Sequence, residues 1–336
     1  MAVTVRDFGE HEGQRVDAFT LTSEAGVEVD IMSYGVVVRD WRVPVAEGLR
    51  SVVLGFEEFA PYPTHSPYFG AIAGRVANRI ARAEFELEGK SYRLPVNEGD
   101  YCLHGGPRGL GQQVWTAEPD SAGNAVRFSH HSPDGAMGFP GTVEFTATYR
   151  LEGKALSLEL AAMPDRPTPI SLVQHQYFNL GTTDTVLDHR FQLEGHAYTE
   201  VSPNLIPTGA ILPVAGTKWD LRRPRTLREP DGTPVAYDGN LALATGRRLE
   251  DPIATVFAPD DSLTLHLWSD RPGLQFYNGV YTNIPVPGLG GSNYKFFSGF
   301  CLEDQAFPDA LHNPHFPSII HTPDRPYSHW CRFEIG

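Results

Sequence analysis

Short runs of alternating apolar and polar residues, separated by turns, restrict this chain to folds built from β-strands. In residues 143–151 (VEFTATYRL) every second side chain is apolar, and the alternation resumes at 155 after a break at 152–154 that contains a glycine. A period of two places the apolar side chains on one face of a strand, so this segment predicts a β-hairpin. Residues 83–95 repeat the pattern around a turn at 88–90, and residues 262–270 read as a further strand.

Helical periodicity is scarce, with short candidates only at 76–82 and 57–59. Many short strands with few helices predict an all-β sandwich or barrel. The 336 residues include 33 glycines and 28 prolines, which indicates many turns, while 41% hydrophobic residues suffice for a large core. No composition break marks a linker, and the proline-rich stretch 203–234 retains apolar residues of the kind that pack a long loop. We therefore expect a single domain spanning 1–336.

The charge balance excludes some classes of partner. Lys plus Arg number 27 and Asp plus Glu 41, for a net charge of −14. Such a surface disfavours nucleic acid and anionic membranes, both of which are bound through cationic side chains. No run approaches the ~18 apolar residues of a spanning helix, and the start has no apolar stretch typical of a secretory signal. Three scattered cysteines, Cys102, Cys301 and Cys331, suggest a reducing cytoplasm.

Two polar residues interrupt strongly apolar segments. If FCLEDQ (300–305) is a strand, Glu303 shares a face with Cys301 and Gln305 and is flanked by apolar neighbours. Burial would raise the pKa of such a carboxyl and suit it to act as a general base, although an edge strand whose acids face water gives the same pattern. His175, within SLVQHQYFNL, has the side chain suited to a general acid, but a core histidine bonded to a carbonyl is the ordinary alternative.

Other candidate binding residues lie in turns and among small residues. Asn78 and Arg79 sit within GRVANRI, and His104 precedes Gly105-Gly106, where little bulk obstructs a ligand. Asp238, before Gly239 and Asn240, has ordinary turn chemistry, and Gln275 is bracketed by Leu274 and Phe276. Three arginines, Arg75, Arg79 and Arg82, form a group with two interpretations. They could bind an anion together, or they could form the solvated face of a short helix.

Metal-dependent and serine-hydrolase chemistry find no support in these patterns. His312, His315, His130 and His131 are close enough in sequence to ligate a metal, yet no Cys or His set has zinc-site spacing. No GxSxG nucleophile elbow occurs, and GGPRGLG matches no phosphate-binding glycine loop. We expect neither a metal nor an organic cofactor.

Taken in order, the segments resemble the aldose 1-epimerase (galactose mutarotase) family. The matching pieces are GRVANRI (74–80), LHGG (103–106), HQYFNL (175–180), DGN (238–240), PGLQFY (272–277) and CLEDQAFPDALHNPHFP (301–317). The opening segment DAFTLTSEAGVEVDIMSYGVVVRDW is similar to the first strands of the family. Each piece alone is weak, but six in register are highly specific, and with the opening segment the match covers nearly the whole chain.

The resemblance implies a large antiparallel β-supersandwich with few short helices and an open sugar-binding cleft. It implies that Glu303 is the base that takes the proton from the anomeric hydroxyl of a free monosaccharide, and that His175 is the acid that protonates the ring oxygen. The ring opens, C1 rotates about the C1–C2 bond, and reclosure with exchanged roles gives the other anomer. The sugar hydroxyls would be held by Asn78, Arg79, His104, Asp238 and Gln275, with Tyr177 or Phe276 covering C–H surface.

Two departures from the family pattern affect these expectations. Gln174 stands where the family usually has Asn before the acid, which should alter hydrogen bonding around His175 more than its chemistry. Gly239 stands where the family commonly has His, which should widen or reshape one side of the cleft and leaves the preferred sugar open.

Galactose or glucose is the expected hexose, and the chain is expected to be a monomer or a homodimer. A sugar-phosphate 1-epimerase, motivated by the arginine group, requires two guanidiniums to converge beside the cleft. A non-catalytic carbohydrate-binding protein would have lost the acid or the base. A glycosidase would need the carboxyls of Asp238 and Glu303 to flank a bond, roughly 5–9.5 Å apart.

Overall fold

The computed structural model describes residues 2–66 and 68–336, and most of its regular structure is β-strand. In chain order the first strands are β1 (Ala2–His11), β2 (Gln14–Thr22), β3 (Glu28–Met32), β4 (Val37–Val45), β5 (Gly48–Ser51), β6 (Ile72–Ala73), β7 (Arg79–Ile80), β8 (Glu84–Leu87), β9 (Lys90–Arg93), β10 (Cys102–Leu103), β11 (Thr116–Asp120), β12 (Ala125–Ser132) and β13 (Val143–Glu152). The remainder are β14 (Ala155–Pro164), β15 (Thr168–Pro169), β16 (Val173–Gln174), β17 (Arg190–Leu193), β18 (Gly195–Val201), β19 (Pro207–Pro213), β20 (Asp238–Leu243), β21 (Ala254–Phe257), β22 (Thr264–Ser269), β23 (Gly273–Tyr277), β24 (Cys301–Gln305), β25 (Ile320–His321) and β26 (Tyr327–Ile335).

Helical structure in the described residues amounts to single turns. The α-helix α1 spans Tyr62–His65, and 3₁₀ turns occupy Ala81–Ala83, Leu110–Gln112, Ala136–Gly138 and Leu289–Gly291. None of these helices is long and apolar enough to cross a membrane.

Three large sheets carry most of the strands. One has the order β1-β2-β3-β4-β5, the second β11-β12-β13-β14-β26-β22-β21-β17, and the third β19-β18-β20-β23-β24. Neighbouring strands within each are antiparallel, and the described residues also form four separate two-stranded ladders, β16-β6, β10-β7, β15-β25 and β8-β9. The all-β prediction is confirmed.

The predicted hairpins form where the alternation placed them. Strands β13 and β14 pair from Glu152↔Ala155 outward, and the alternate residues of β13 beginning at Val143 are buried. Strands β8 and β9 pair from Leu87↔Lys90. Local alternation thus decided strand, turn and buried face together, because a slip of one residue would turn the apolar set outward.

The two short helix predictions are wrong. Within 76–82, Arg79–Ile80 is strand β7 and a 3₁₀ turn follows, since Asn78 and Arg82 adopt left-handed backbone angles (φ 59° and 55°) that interrupt an α-helix. Residues 57–59 form a bend, and α1 begins only at Tyr62. The stretch 203–234 is a loop only in part, because it contains strand β19.

One large hydrophobic cluster lies between the sheets and draws residues from Phe19 to Ile335. Trp41 of β4 meets the rings of Phe178 and Phe333 at centroid distances of 6.1 and 6.3 Å, which joins the first sheet to β26 of the second. Phe276 of β23 packs 5.1 Å from Phe191 of β17, which joins the third sheet to the second. These contacts fix the third sheet, which carries three of the predicted site residues, against the rest of the protein.

Candidate active site

A cleft of about 570 Å³ opens on the face of the third sheet that is turned away from this cluster. Six of the seven predicted site residues line it: Asn78, Arg79, His104, His175, Asp238 and Glu303. The seventh, Gln275, is buried and donates a hydrogen bond from Nε2 to Oδ1 of Asp238 at 2.6 Å. The structure therefore brings together residues that are up to 225 positions apart in the sequence.

Strand register places the polar side chains of the third sheet on one face. Glu303 of β24 pairs directly with Gln275 of β23, and Gln275 pairs with Asn240 of β20, two residues beyond Asp238. Because side chains alternate along a strand, Phe276 and Leu302 point into the core instead. The suggestion that Phe276 covers a sugar face is thus not supported, whereas Tyr177 lines the cleft.

Strand β24 is the last strand of its sheet, yet all five of its residues are buried. Phe178 forms a β-bridge with Phe300, and Gln174 donates a hydrogen bond from Nε2 to the carbonyl oxygen of Leu302 at 2.7 Å. The segment containing His175 therefore covers the open edge of the sheet. The alternative in which the acids of an edge strand face water does not apply to Glu303, which is 2% exposed.

His175 and Glu303 meet at the floor of the cleft, with 3.6 Å between Nε2 of His175 and Oε2 of Glu303. The imidazole ring stacks on Tyr177 (centroids 5.0 Å apart, interplanar angle 15°) and on Tyr68 (6.0 Å, 24°). Among the residues that the structure describes, Nδ1 of His175 and Oε2 of Glu303 find no hydrogen-bond partner although both are buried. Buried polar atoms are normally hydrogen-bonded, so these two atoms are the ones through which the pair could bond a molecule in the cleft.

Burial shifts both groups toward their uncharged forms. It lowers the pKa of His175 to about 4. Burial, and then the negative charge of Asp238, raise the pKa of Glu303 well above its usual range, against the opposing effect of Arg79. A low-dielectric surrounding disfavours whichever form carries charge, which is the cause of both shifts.

Asn78 and His104 hold each other in left-handed backbone conformations (φ 59° and 51°). The His104 amide donates to the Asn78 carbonyl oxygen at 2.9 Å, and the Asn78 amide donates to Nδ1 of His104 at 3.2 Å. The next residue must be small, since a Cβ on Gly105 (φ 83°) would lie 2.0 Å from the Gly74 carbonyl oxygen. Because Nδ1 of His104 accepts, the neutral ring carries its proton on Nε2 and offers a donor.

Arg79 links the two walls of the cleft. Its Nη2 lies 3.4 Å from Oε1 of Glu98 and 3.7 Å from Oδ2 of Asp238, and its guanidinium lies over the Tyr101 ring. Burial raises the pKa of Asp238, while the charge of Arg79 and the hydrogen bond from Gln275 oppose that shift. The result is a connected set of donors and acceptors suited to neutral hydroxyls.

The other two members of the arginine group lie outside the cleft. Arg75 is buried and donates to the carbonyl oxygens of Ser132, Pro133 and Pro140. The side chain of Arg82 is 63% exposed and pairs with Glu84. Neither the helix face nor the convergent anion site proposed for this group exists in the structure.

Several residues that line the cleft were missed: Tyr68, Glu98, Tyr277 and Tyr281. Only Tyr277 carried a usable signal, since it lies two positions from Gln275 in the same strand and so shares its face. Tyr68 and Glu98 lie in loops, where alternation predicts nothing.

Two groups of side chains each offer three ligand atoms within 4.8 Å of one another: His104, His175 and Glu303 in the cleft, and Asp304, His329 and Cys331 beneath it. In each group a histidine nitrogen already has a protein partner, Asn78 for His104 and Asp304 for His329. Of the histidines considered from sequence, His312 bonds Asp309, His315 bonds the Gly209 carbonyl and His131 bonds Glu144. The expectation of no metal stays a prediction.

Comparison with known proteins agrees with the geometry. The family model described as aldose 1-epimerase matches residues 17–334. The chain belongs to the aldose 1-epimerase family. A galactose mutarotase from Rattus norvegicus is 39% identical over the full length of both chains, and an aldose 1-epimerase from Escherichia coli is 31% identical over 91% of this chain and 90% of its own. The crystal structure of an aldose epimerase homologue from C. elegans superposes with a TM-score of 0.89, at 26% identity, over 94% of this chain and 98% of that one.

This aldose 1-epimerase is an enzyme that interconverts the α and β anomers of hexoses, and its fold is that of the galactose mutarotases. Both the family and the fold expected from the sequence resemblance are confirmed.

Proposed function

We propose that the cleft is the site of anomer interconversion, that Glu303 and His175 carry the protons, and that free galactose or glucose is the substrate. The observation that carries this proposal is the pair itself: two buried proton-transfer groups 3.6 Å apart, each with an atom that lacks a partner in the described part of the chain. Ring opening needs a base at the anomeric hydroxyl and an acid at the ring oxygen, and both atoms belong to the same end of a pyranose.

The reaction needs one proton in the pair, which changes place during each half-reaction. With Glu303 as carboxylate and His175 as imidazolium, Glu303 takes the proton of the O1 hydroxyl while His175 gives its proton to O5, and the C1–O5 bond breaks to leave the aldehyde. The pair is then Glu303 carboxylic acid and neutral His175. After rotation about C1–C2, His175 takes the proton from the O5 hydroxyl, O5 attacks C1, and Glu303 returns a proton to O1.

The pKa shifts suit this exchange. Burial lowers the pKa of His175 to about 4 and raises that of Glu303 above its usual range, so burial favours the uncharged pair with its proton on Glu303. A pair of coupled groups titrates as a unit, and it holds one proton between these two values. Hydroxyls donated by the sugar would stabilise the carboxylate and so populate the charged form.

The remaining predicted residues would hold the sugar. Asp238 would accept a hydroxyl proton, with its carboxylate oriented by Gln275 and Arg79, and Nε2 of His104 would donate. Tyr177 would cover C–H surface beside His175. No step of this scheme uses a cofactor.

The competing functions are less well supported by the same residues. A sugar phosphate would need a second cation beside Arg79, but Arg75 and Arg82 lie elsewhere and the cleft also contains Glu98 and Asp238. A binding protein without activity would have no reason to keep both proton carriers together in one buried pair. Asp238, engaged by Gln275 and near Arg79, is better placed to hold a hydroxyl than to attack as in a glycosidase.

Polarimetry on freshly dissolved α-D-galactose and α-D-glucose tests the proposal. Glu303→Gln and His175→Asn should each reduce kcat by at least about 100-fold, because each removes one proton carrier. Glu118→Gln and His131→Asn, at exposed sites, are matched controls that should keep full activity. Retained activity in either cleft variant would refute the assigned roles, and acceleration only with a hexose 6-phosphate would favour the sugar-phosphate alternative.

Three further properties remain proposals. The three cysteines are free and buried, which suits a reducing cytoplasm. A single domain over 1–336 is supported by the hydrophobic cluster that draws on both ends of the chain. Monomer and homodimer both stay open.

A further inference from the structure

A buried polar network lies directly beneath the catalytic pair and takes no part in the proton transfers. Gln174 donates from Nε2 to the Leu302 carbonyl oxygen (2.7 Å) and to Oδ1 of Asp304 (3.2 Å). The other carboxylate oxygen of Asp304 lies 2.7 Å from Nε2 of His329 on β26, and Nδ1 of that ring lies 3.3 Å from the Tyr327 hydroxyl. All four polar side chains are at most 3% exposed.

The network contacts the chain on both sides of each proton carrier. Leu302 and Asp304 flank Glu303, and Gln174 precedes His175. The Gln174 side chain also accepts, at its Oε1, the amide N–H of Gln176 on the far side of His175 (3.4 Å). One glutamine amide group therefore bridges the two segments whose separation sets the 3.6 Å between Nε2 of His175 and Oε2 of Glu303.

Burying an acid, an imidazole and an amide is costly unless all are hydrogen-bonded, and an apolar filling would serve stability as well. The placement therefore calls for a role beyond stability. We propose that Gln174, Asp304 and His329 are positioning residues, which hold the catalytic pair in register and set the electrostatic field at Glu303.

The charge of Asp304 supports the second part of this role. Asp304 is the residue next to Glu303, and its negative charge is one of the influences that raise the pKa of Glu303, after burial and Asp238. Asp304 is faced by the titratable and charged groups His329, Cys331, Tyr149, Tyr327, Arg271, Arg247 and, near His329, Asp270. Glu303 is faced by His175, His104, Tyr177, Cys301, Asp238 and Arg79.

The direction in which removing the Asp304 charge shifts the pH profile follows from the requirement that Glu303 and His175 together hold one proton. Activity is lost at low pH when His175 gains the second proton and at high pH when Glu303 loses the last one. Removing the charge of Asp304 lowers the pKa of Glu303, so the basic limb of the kcat/KM profile should move to lower pH. Asp304 is not among the influences on the pKa of His175, so the acid limb should stay in place.

The experiment compares Asp304→Asn and Gln174→Leu with wild type by polarimetry on galactose across the pH range. We expect Asp304→Asn, which keeps the shape of the side chain, to move the basic limb and to lower kcat with KM changed by less than about threefold. We expect Gln174→Leu to lower kcat roughly 10–100-fold, because small misplacements of reacting groups carry losses of that size, and to leave the pH profile unmoved.

Asp30→Asn is the matched control, since Asp30 is an equally buried carboxylate of β3, paired with Arg39 and Arg6. It should lower the melting temperature without altering kcat or the pH profile of the folded enzyme. Activities are normalised to the folded fraction from near-ultraviolet circular dichroism.

The inference rests on the proposed function, and the outcomes separate the two. A wild-type enzyme that accelerates no hexose would refute the proposed function. An active wild type, with Asp304→Asn and Gln174→Leu both unchanged in kcat and pH profile, would overturn only the positioning role. If Asp304→Asn does not fold, Gln174→Leu alone decides: unchanged kcat overturns the role.

Discussion

Gly239 shows how a single absent side chain is compensated within the fold. It pairs with Phe276 between β20 and β23 and lies on the face turned away from the cleft. A Cβ there would meet the Trp219 ring at 2.6 Å, and that ring packs against Tyr198 and Tyr237. The missing side chain at Gly239 therefore leaves no open space in the cleft. Its place, on the opposite face of the sheet, is filled by Trp219.

Gly239→Ala should lower the free energy of unfolding by about 1–3 kcal/mol, because the added methyl group overpacks against Trp219. Urea denaturation measures the loss. In a Trp219→Leu background the same substitution should cost less, since the two residues are in contact. Equal costs in both backgrounds would contradict the packing explanation.

At the scale of elements, short segments without regular structure decide what the cleft contains. The segment around Asn78 carries two arginines four residues apart, and the left-handed turn between them sends their side chains to different partners. Arg79 reaches Asp238 across the cleft, while Arg75 bonds the carbonyl oxygens at the end of β12 and in the loop beyond it.

Arg75→Met should therefore reduce stability and not activity, whereas Arg79→Met should reduce activity. Arg75→Met should lower the free energy of unfolding by about 2–4 kcal/mol, because it leaves buried carbonyl oxygens unpaired, and it should leave kcat/KM of the folded enzyme unchanged. Arg79→Met should reduce kcat/KM for galactose roughly 10–100-fold through loss of a charged hydrogen-bonding group. Chemical denaturation and polarimetry on the same preparations make the comparison. A loss of activity confined to Arg75→Met would reverse the assignment.

At the scale of the whole molecule, burying Glu303 couples the stability of the fold to pH. The native state keeps Glu303 buried with a raised pKa, whereas in the unfolded chain the same carboxyl ionises near its usual value of 4.5. The contribution of Glu303 to stability is thus fully present below that value. It is lost as the pH rises toward the pKa of the folded state.

Glu303→Gln should accordingly raise the melting temperature, and by more at pH 8 than at pH 5. A neutral amide never has to be held uncharged, so the variant escapes the penalty that grows with pH in the wild type. Differential scanning calorimetry at the two pH values gives the difference. Glu118→Gln should follow the wild type at both, and an equal gain at pH 5 and pH 8 would refute the linkage.

Alternation and turns in the sequence were enough to predict the all-β class and individual hairpins such as β13–β14, because those features depend on neighbouring residues. The six family segments in register also indicated the site residues, of which six line one cleft. The same local reasoning failed at 76–82, where two residues adopt left-handed backbone angles that interrupt the predicted helix and that the sequence pattern does not predict. It also left open whether Glu303 faces water, since an edge strand is covered or exposed according to what a distant segment does.

The sequence by itself therefore determined the strand-and-turn character and the family, and it indicated the residues proposed here as proton carriers, because all of these depend on short segments. Only the tertiary structure decided that the segment containing His175 covers β24 and that Arg75 and Arg79 contact different parts of the protein. It also decided that Gln174, Asp304 and His329 form one hydrogen-bonded network beneath the cleft. Those outcomes depend on contacts between residues far apart in the chain, where burial, and not local pattern, sets the energy of each polar group.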